Sequence, residues 1–264
     1  MKNETVRAID AATLVRHWLT GASGATWLLC GALATAGPIY QGALGTSPGA
    51  QGWTAVVPPP ASETVAAGAV TLDTTVSNAL QAGYAYRLPV DSGAGFTLAF
   101  TTQLLAESHT GNSNRAGFSV ILLDDTHQGI ELGFWTDQVW AQAVGFTKAE
   151  TAAFDTTAMT DYLLRLDSGS YALWANGSAL LSGAMRDYSA SGLPYTLPNF
   201  LFMGDDTTSA SAQVRIAEVG VVVPEPPTWA LLFGCLLLLA RPTWTSRSSS
   251  RPWSWFRPTE SAGP

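Results

Sequence analysis

Between residues 95 and 176 apolar and polar positions alternate with a period of two. The runs GFTLAFTTQLL (95–105), RAGFSVILLD (115–124), GIELGFW (129–135), QVWAQAV (138–144), DYLLRLD (161–167) and SYALWAN (170–176) are of strand length and rich in aromatic and branched residues. Each is bounded by Gly, Asp, Asn or Ser. A period of two sends successive side chains to opposite faces, so each run reads as a half-buried β-strand. SASAQVRIAEVGVVV (209–223) closes the set. Only TKAETAAFDTTAM (147–159) has the composition of a short helix. Residues 37–62, rich in Gly, Ala, Pro and Ser with prolines at 58–60, read as an extended lead-in. Many short strands with frequent turn signals predict an all-β sandwich or barrel over residues 63–222.

One turn is specified locally. In YALWANGSALL, Asn176-Gly177 stands between two apolar runs, the strongest short-range signal for a two-residue type I′ hairpin. Asn176-Gly177-Ser178 also matches a glycosylation acceptor, and the hairpin accounts for the same residues.

The two ends have another pattern. Arg16 and His17 precede an apolar stretch that closes on Ala34-Thr35-Ala36 before Gly37. A positive flank, an apolar region and a small-x-small site describe a secretory signal peptide over residues 1–36, cleaved between Ala36 and Gly37. At the other end, Pro224-Glu225-Pro226 is followed by the apolar run 229–240 and then by Arg241, Arg247, Arg251 and Arg257. An apolar run with positive charge after it is the order that marks a cytoplasmic tail. The expectation is a helical segment at each end and a disordered basic tail over residues 248–264.

Charge changes the picture of what lies between. From Gly37 to Val223 there are six Lys/Arg against sixteen Asp/Glu, a balance near −10. Such a field repels phosphate backbones and argues against nucleic acid as a partner. Cys30 and Cys235 both lie in the apolar ends, so the middle has neither a disulfide framework nor cysteine ligands for zinc.

Pro224-Glu225-Pro226, the apolar run and the arginines together resemble the PEP-CTERM sorting signal of Gram-negative bacteria, here residues 223–247. That resemblance implies export past signal peptidase and transient anchoring in the inner membrane through residues 229–240. Processing by an exosortase and delivery to the envelope or extracellular matrix would follow. The middle resembles the concanavalin A-like, laminin-G-type jelly roll, closest to the choice-of-anchor modules of bacterial surface proteins. The likeness is carried by YLLRLDSGSYALWANG (162–177), by Gly204-Asp205-Asp206-Thr207 and by the strand that follows, and it covers roughly residues 53–222.

Hydrolases on that fold carry a strand motif of the type E-x-D-x-x-E or E-x-D-x-E, with its carboxylates aimed at one face. Against it, Glu131 stands for the first carboxylate, Gly133 replaces the helper and Trp135 occupies the place of the acid. A retaining mechanism needs two carboxyl groups about 5–5.5 Å apart, and this strand supplies one. The expectation is therefore a non-catalytic module, glycan-binding or structural, with a degenerate glycoside hydrolase as the alternative. Glu131, Gly133 and Trp135 should share a face opposite Ile130, Leu132 and Phe134. With Trp140 they form either a sugar-binding platform for a polysaccharide or the filling of the other layer of the sandwich. The pairs Asp124-Asp125 and Asp205-Asp206 are either solvated turns or oxygen ligands for calcium, with Asp205, Asp206 and Asp125 as the candidate ligands.

Overall fold

The computed structural model describes residues 35–223 as a sandwich of two antiparallel eight-stranded sheets. The strands run β1 (Thr35–Gln41), β2 (Thr54–Val56), β3 (Ser62–Ala66), β4 (Ala69–Asp73), β5 (Ala82–Arg87), β6 (Phe96–Ser108), β7 (Ser119–Leu123) and β8 (Gln128–Phe134). They continue with β9 (Gln138–Gln142), β10 (Lys148–Ala153), β11 (Thr160–Asp167), β12 (Ser170–Ala175), β13 (Ser178–Ala184), β14 (Arg186–Asp187), β15 (Phe200–Asp205) and β16 (Ser211–Val223). The first sheet has the order β13-β12-β11-β6-β16-β4-β3, with β1 added against β16. The second has the order β10-β9-β8-β7-β15-β5-β2, with β14 added against β8.

The alternation read from the sequence fills the space between the sheets. Leu98, Phe100, Tyr162, Leu164 and Leu173 enter it from the first sheet, and Val120, Leu122, Ile130, Leu132, Phe134 and Met203 from the second. Phe100 stacks on Tyr162 at 5.0 Å between centroids and meets Phe134 edge-on at 6.4 Å, so one aromatic cluster joins the two layers. At the 176–177 turn Asn176 has φ 48° and Gly177 φ 79°, the two positive angles that a type I′ hairpin requires.

Two expectations change. The stretch 147–159 carries no helix, because its first half is the edge strand β10, paired with β9. Its Lys-Ala-Glu-Thr-Ala-Ala is a helical composition, overridden by the pairing that β9 offers. Nor is 37–62 merely a lead-in. β1 pairs with β16, β2 pairs with β5, and Tyr40 and Trp53 are buried in the core. The Gln51 side chain holds the segment closed: its Nε2 donates to Gln41 O at 2.9 Å and its Oε1 accepts from Gln41 N at 2.8 Å.

The expected cleavage point falls within β1, where Ala36 pairs with Val222 and Gly37 with Val221. The signal region before it, Pro224-Glu225-Pro226, the run 229–240 and the basic tail lie outside the described residues. Among the described residues no helix is long and apolar enough to cross a membrane.

Candidate functional site

The outer face of the second sheet is where the sequence places Glu131, Trp135 and Trp140, and over β7 and β8 that face is covered. β7 is Ser-Val-Ile-Leu-Leu, buried on both sides. Ile121 and Leu123 pack outward against Tyr188, Tyr195 and Phe200, so the segment after β13 lies over the sheet. Glu131 is 1% exposed and Trp140 0%. The space left by Gly133 is taken by the Trp140 indole, whose N–H donates to Gln142 Oε1 at 3.0 Å. Trp135 is half-buried. His109 stacks on it with centroids 3.6 Å apart, and Lys148 Nζ lies 3.0 Å from its ring centroid. Burial lowers the Lys148 ammonium to about 8 against the opposing pull of Asp137 and Glu107. The three residues therefore form no open platform: Glu131 and Trp140 are buried, and Trp135 is covered by His109 and Lys148.

What lies beside them is a charged cluster. Arg115 enters just before β7, and its carbonyl accepts the Trp135 indole N–H at 3.0 Å. The neighbouring Asn114 carbonyl accepts from Gln142 Nε2 at 3.1 Å. These bonds aim the guanidinium between two carboxylates. Nη2 lies 2.7 Å from Asp206 Oδ2, and Nη1 lies 3.1 Å from Glu131 Oε1, close enough for an ion pair but not aligned as a hydrogen bond. The Phe146 ring sits 4.6 Å from the guanidinium carbon.

The Tyr195 hydroxyl lies 2.6 Å from Glu131 Oε2 and 3.0 Å from Asp206 Oδ2. A phenol has one proton to give and here it faces two carboxylates. Retention of a proton by Glu131 satisfies both contacts. Burial, with Asp206 adding to it, pushes the Glu131 carboxyl well above its usual range despite Arg115 and Tyr195. Asp206 Oδ1 is buried and has no partner among the described residues.

The cluster opens onto a groove. A pocket of about 300 Å³ is lined by Gln81, Arg115, Phe146, Leu193, Tyr195 and Asp206, among others. It shares Gln81, Pro194 and Asp206 with a second pocket of about 330 Å³, floored by Phe200 and Phe202 and walled by Leu197 and Val56. That pocket shares Ala85, Leu197 and Phe200 with a third of about 490 Å³, where Thr54, Tyr86 and Arg87 supply polar groups. The three run in sequence along the outer face of the second sheet.

The calcium reading meets a different geometry. Asp205 is 1% exposed; its Oδ2 accepts from Thr74 Oγ1 at 2.7 Å and its Oδ1 from Thr207 N at 3.1 Å. Burial raises this carboxyl to about 8 against those hydrogen bonds. Asp206 is paired with Arg115. Asp124 Oδ1 accepts from Thr126 N, Thr126 Oγ1 and Gln128 N, closing the turn into β8, and Asp125 is exposed. Among the described residues no three His, Cys, Asp or Glu side chains are disposed to hold a metal ion. Asp205, Asp206 and Asp125 are thus a buried acid, an ion-pair partner and a solvated turn residue.

Sequence reasoning singled out Glu131 and Asp206 for separate roles and missed Arg115 and Tyr195, which join them. One signal was present. Ser-Val-Ile-Leu-Leu in β7 is a continuous apolar run, which implies that both faces are covered. An isolated arginine entering such a strand needs a buried acidic partner.

No protein-family model matches the chain, and no curated protein matches it in sequence. Solved structures do match. A carbohydrate esterase of a Shiga toxin-encoding bacteriophage is 15% identical, with a TM-score of 0.52 over 71% of this chain and 98% of its own. The carbohydrate recognition domain of Emp46p is 11% identical, with a TM-score of 0.41 over 70% of this chain and 94% of its own. An alginate lyase from Corynebacterium is 11% identical, with a TM-score of 0.42 over 63% of this chain and 82% of its own. At these identities the likeness to the esterase is one of fold: this chain shares the antiparallel β-sandwich.

Proposed function

We propose that this chain is an exported, exosortase-sorted protein of the envelope or extracellular matrix. Its laminin-G-like jelly roll would bind a polysaccharide without cutting it. The observation that carries the binding reading is the groove of three connected pockets on the second sheet. Three pockets that share lining residues suit several sugar units rather than one small molecule. The groove's lining combines aromatic and apolar surface for sugar faces with the exposed Gln81 and Arg87 for hydroxyl groups. The export reading rests on the order of charge and apolar residues at the two ends.

A hydrolase has one feature in its favour, the two carboxylates of Glu131 and Asp206 that meet at one tyrosine hydroxyl. Access argues the other way. Glu131 lies beneath Tyr195 with 1% of its surface exposed, so a glycosidic bond in the groove does not reach it. The test is a glycan panel in which retention of the protein and release of reducing ends are followed together. Retention without release is expected, and Arg87→Ala should weaken it about tenfold, as for one lost hydrogen bond to a charged group. Reducing ends that accumulate with the wild type and vanish with Glu131→Gln would make the protein an enzyme.

A further inference from the structure

We infer that the groove selects a polysaccharide whose sugars carry O-acyl groups, with the acyl group seated in the middle pocket between Phe202 and Leu197; this rests on the glycan reading above. The three pockets differ in chemistry. The first ends on Arg115 and Asp206, and the third on Thr54 and Arg87. The middle one is walled by Val56, Ala85, Pro194, Leu197, Phe200 and Phe202.

The polar groups that border the middle pocket are almost all engaged. Gln81 Nε2 donates to Asp206 O at 2.7 Å, and both Asp205 oxygens accept from Thr74 and Thr207. Two acceptors have no partner among the described residues: Asp206 Oδ1, which is buried, and Gln81 Oε1, on an exposed residue at the edge shared with the first pocket.

A sugar hydroxyl placed against Leu197, Phe200 and Phe202 would give up water and find no replacement, which is unfavourable. An ester removes that hydroxyl. It adds methyl or methylene surface for the phenylalanine rings and leaves only a carbonyl, a weaker acceptor, near the mouth. Its neighbours along the polymer keep their hydroxyls for the polar pockets at either side. A middle pocket of about 330 Å³ is larger than a bare methyl substituent needs, which favours an acyl chain over a deoxy position.

The purified full-length chain is titrated with acetylated xylan and acetylated glucomannan, and with each polymer after alkaline deacetylation. At least one acetylated polymer should bind tenfold or more tightly than its deacetylated twin. Leu197→Ser should bring that ratio toward one by weakening the acetylated polymer several-fold more than its deacetylated twin. Val56→Ser, at an exposed rim position, should do the same to a smaller degree and without risk to the fold. Equal binding of both forms by the wild type overturns the inference, as does a preference untouched by both variants. Retention of some other glycan but of neither acetylated polymer overturns it and leaves the glycan reading standing. Binding of no glycan removes both.

Discussion

The indole of Trp140 lies across Gly133, so close that a Cβ at position 133 would come within 2.4 Å of the ring carbon Cζ2. The two residues are cross-strand partners in β8 and β9. The glycine that a sugar-binding strand would leave open is therefore the seat of a core aromatic.

Gly133→Ala should then act on stability rather than on ligand affinity. The added methyl forces the indole or the strand to move, and overpacking of this kind costs about 1–3 kcal/mol. Urea unfolding followed by tryptophan fluorescence measures it. An unchanged midpoint would mean that Trp140 is free to swing away.

The hairpin at Asn176-Gly177 offers a cleaner backbone test. A Cβ at Gly177 would meet nothing within 4 Å, so any cost comes from its φ of 79° alone. Gly177→Val should lower stability by about 1–3 kcal/mol, the range for a β-branched residue held in the left-handed region. A melting curve that stays in place would contradict the turn geometry.

Buried carboxyls set the pH dependence. Asp205 is raised by burial to about 8, and Glu131 is raised by burial with Asp206 adding to it. For both groups the folded pKa lies above the unfolded one. Their contribution is full below the unfolded pKa of about 4 and is lost as pH rises toward 8, while the unfolded chain releases protons that the folded one keeps. The exposed Asp155 and Asp167 work in the opposite sense. Hydrogen bonds from Thr157 and Ser168 lower them, so their contribution is lost only in acid. Urea midpoints should thus be higher at pH 5 than at pH 8, and Asp205→Asn should flatten the difference. A midpoint that rises between pH 5 and pH 8 would contradict this ordering.

The sorting proposal is tested in cells. Replacing Pro224, Glu225 and Pro226 by alanines should leave the protein in the inner membrane with its tail uncut. Normal processing of that variant in a strain with an active exosortase would remove the proposal.

The sandwich was legible because a period of two survives in the long strands β6 and β11, whose outward residues are part-exposed or exposed. Both strands alternate cleanly, as runs read as half-buried strands should. The site was less legible, for a physical reason. Whether Glu131 faces water or protein depends on Tyr188 and Tyr195, more than fifty residues later, and alternation within β8 carries no information about them. β10 was misread for a related reason: its composition suits a helix, and only pairing with β9 makes it a strand.

Mapping the bound ligand onto the backbone tests the central claim most directly. Amide chemical shifts of the isotopically labelled protein are recorded while the polysaccharide retained from the panel is added. The account predicts perturbations at Gln81, Arg115, Phe146, Tyr195, Asp206 and Thr207, continuing to Phe202 and Arg87 along the groove. Shifts confined to the outer face of the first sheet, around Ala172, Trp174 and Leu180, would contradict it and place recognition in a different pocket.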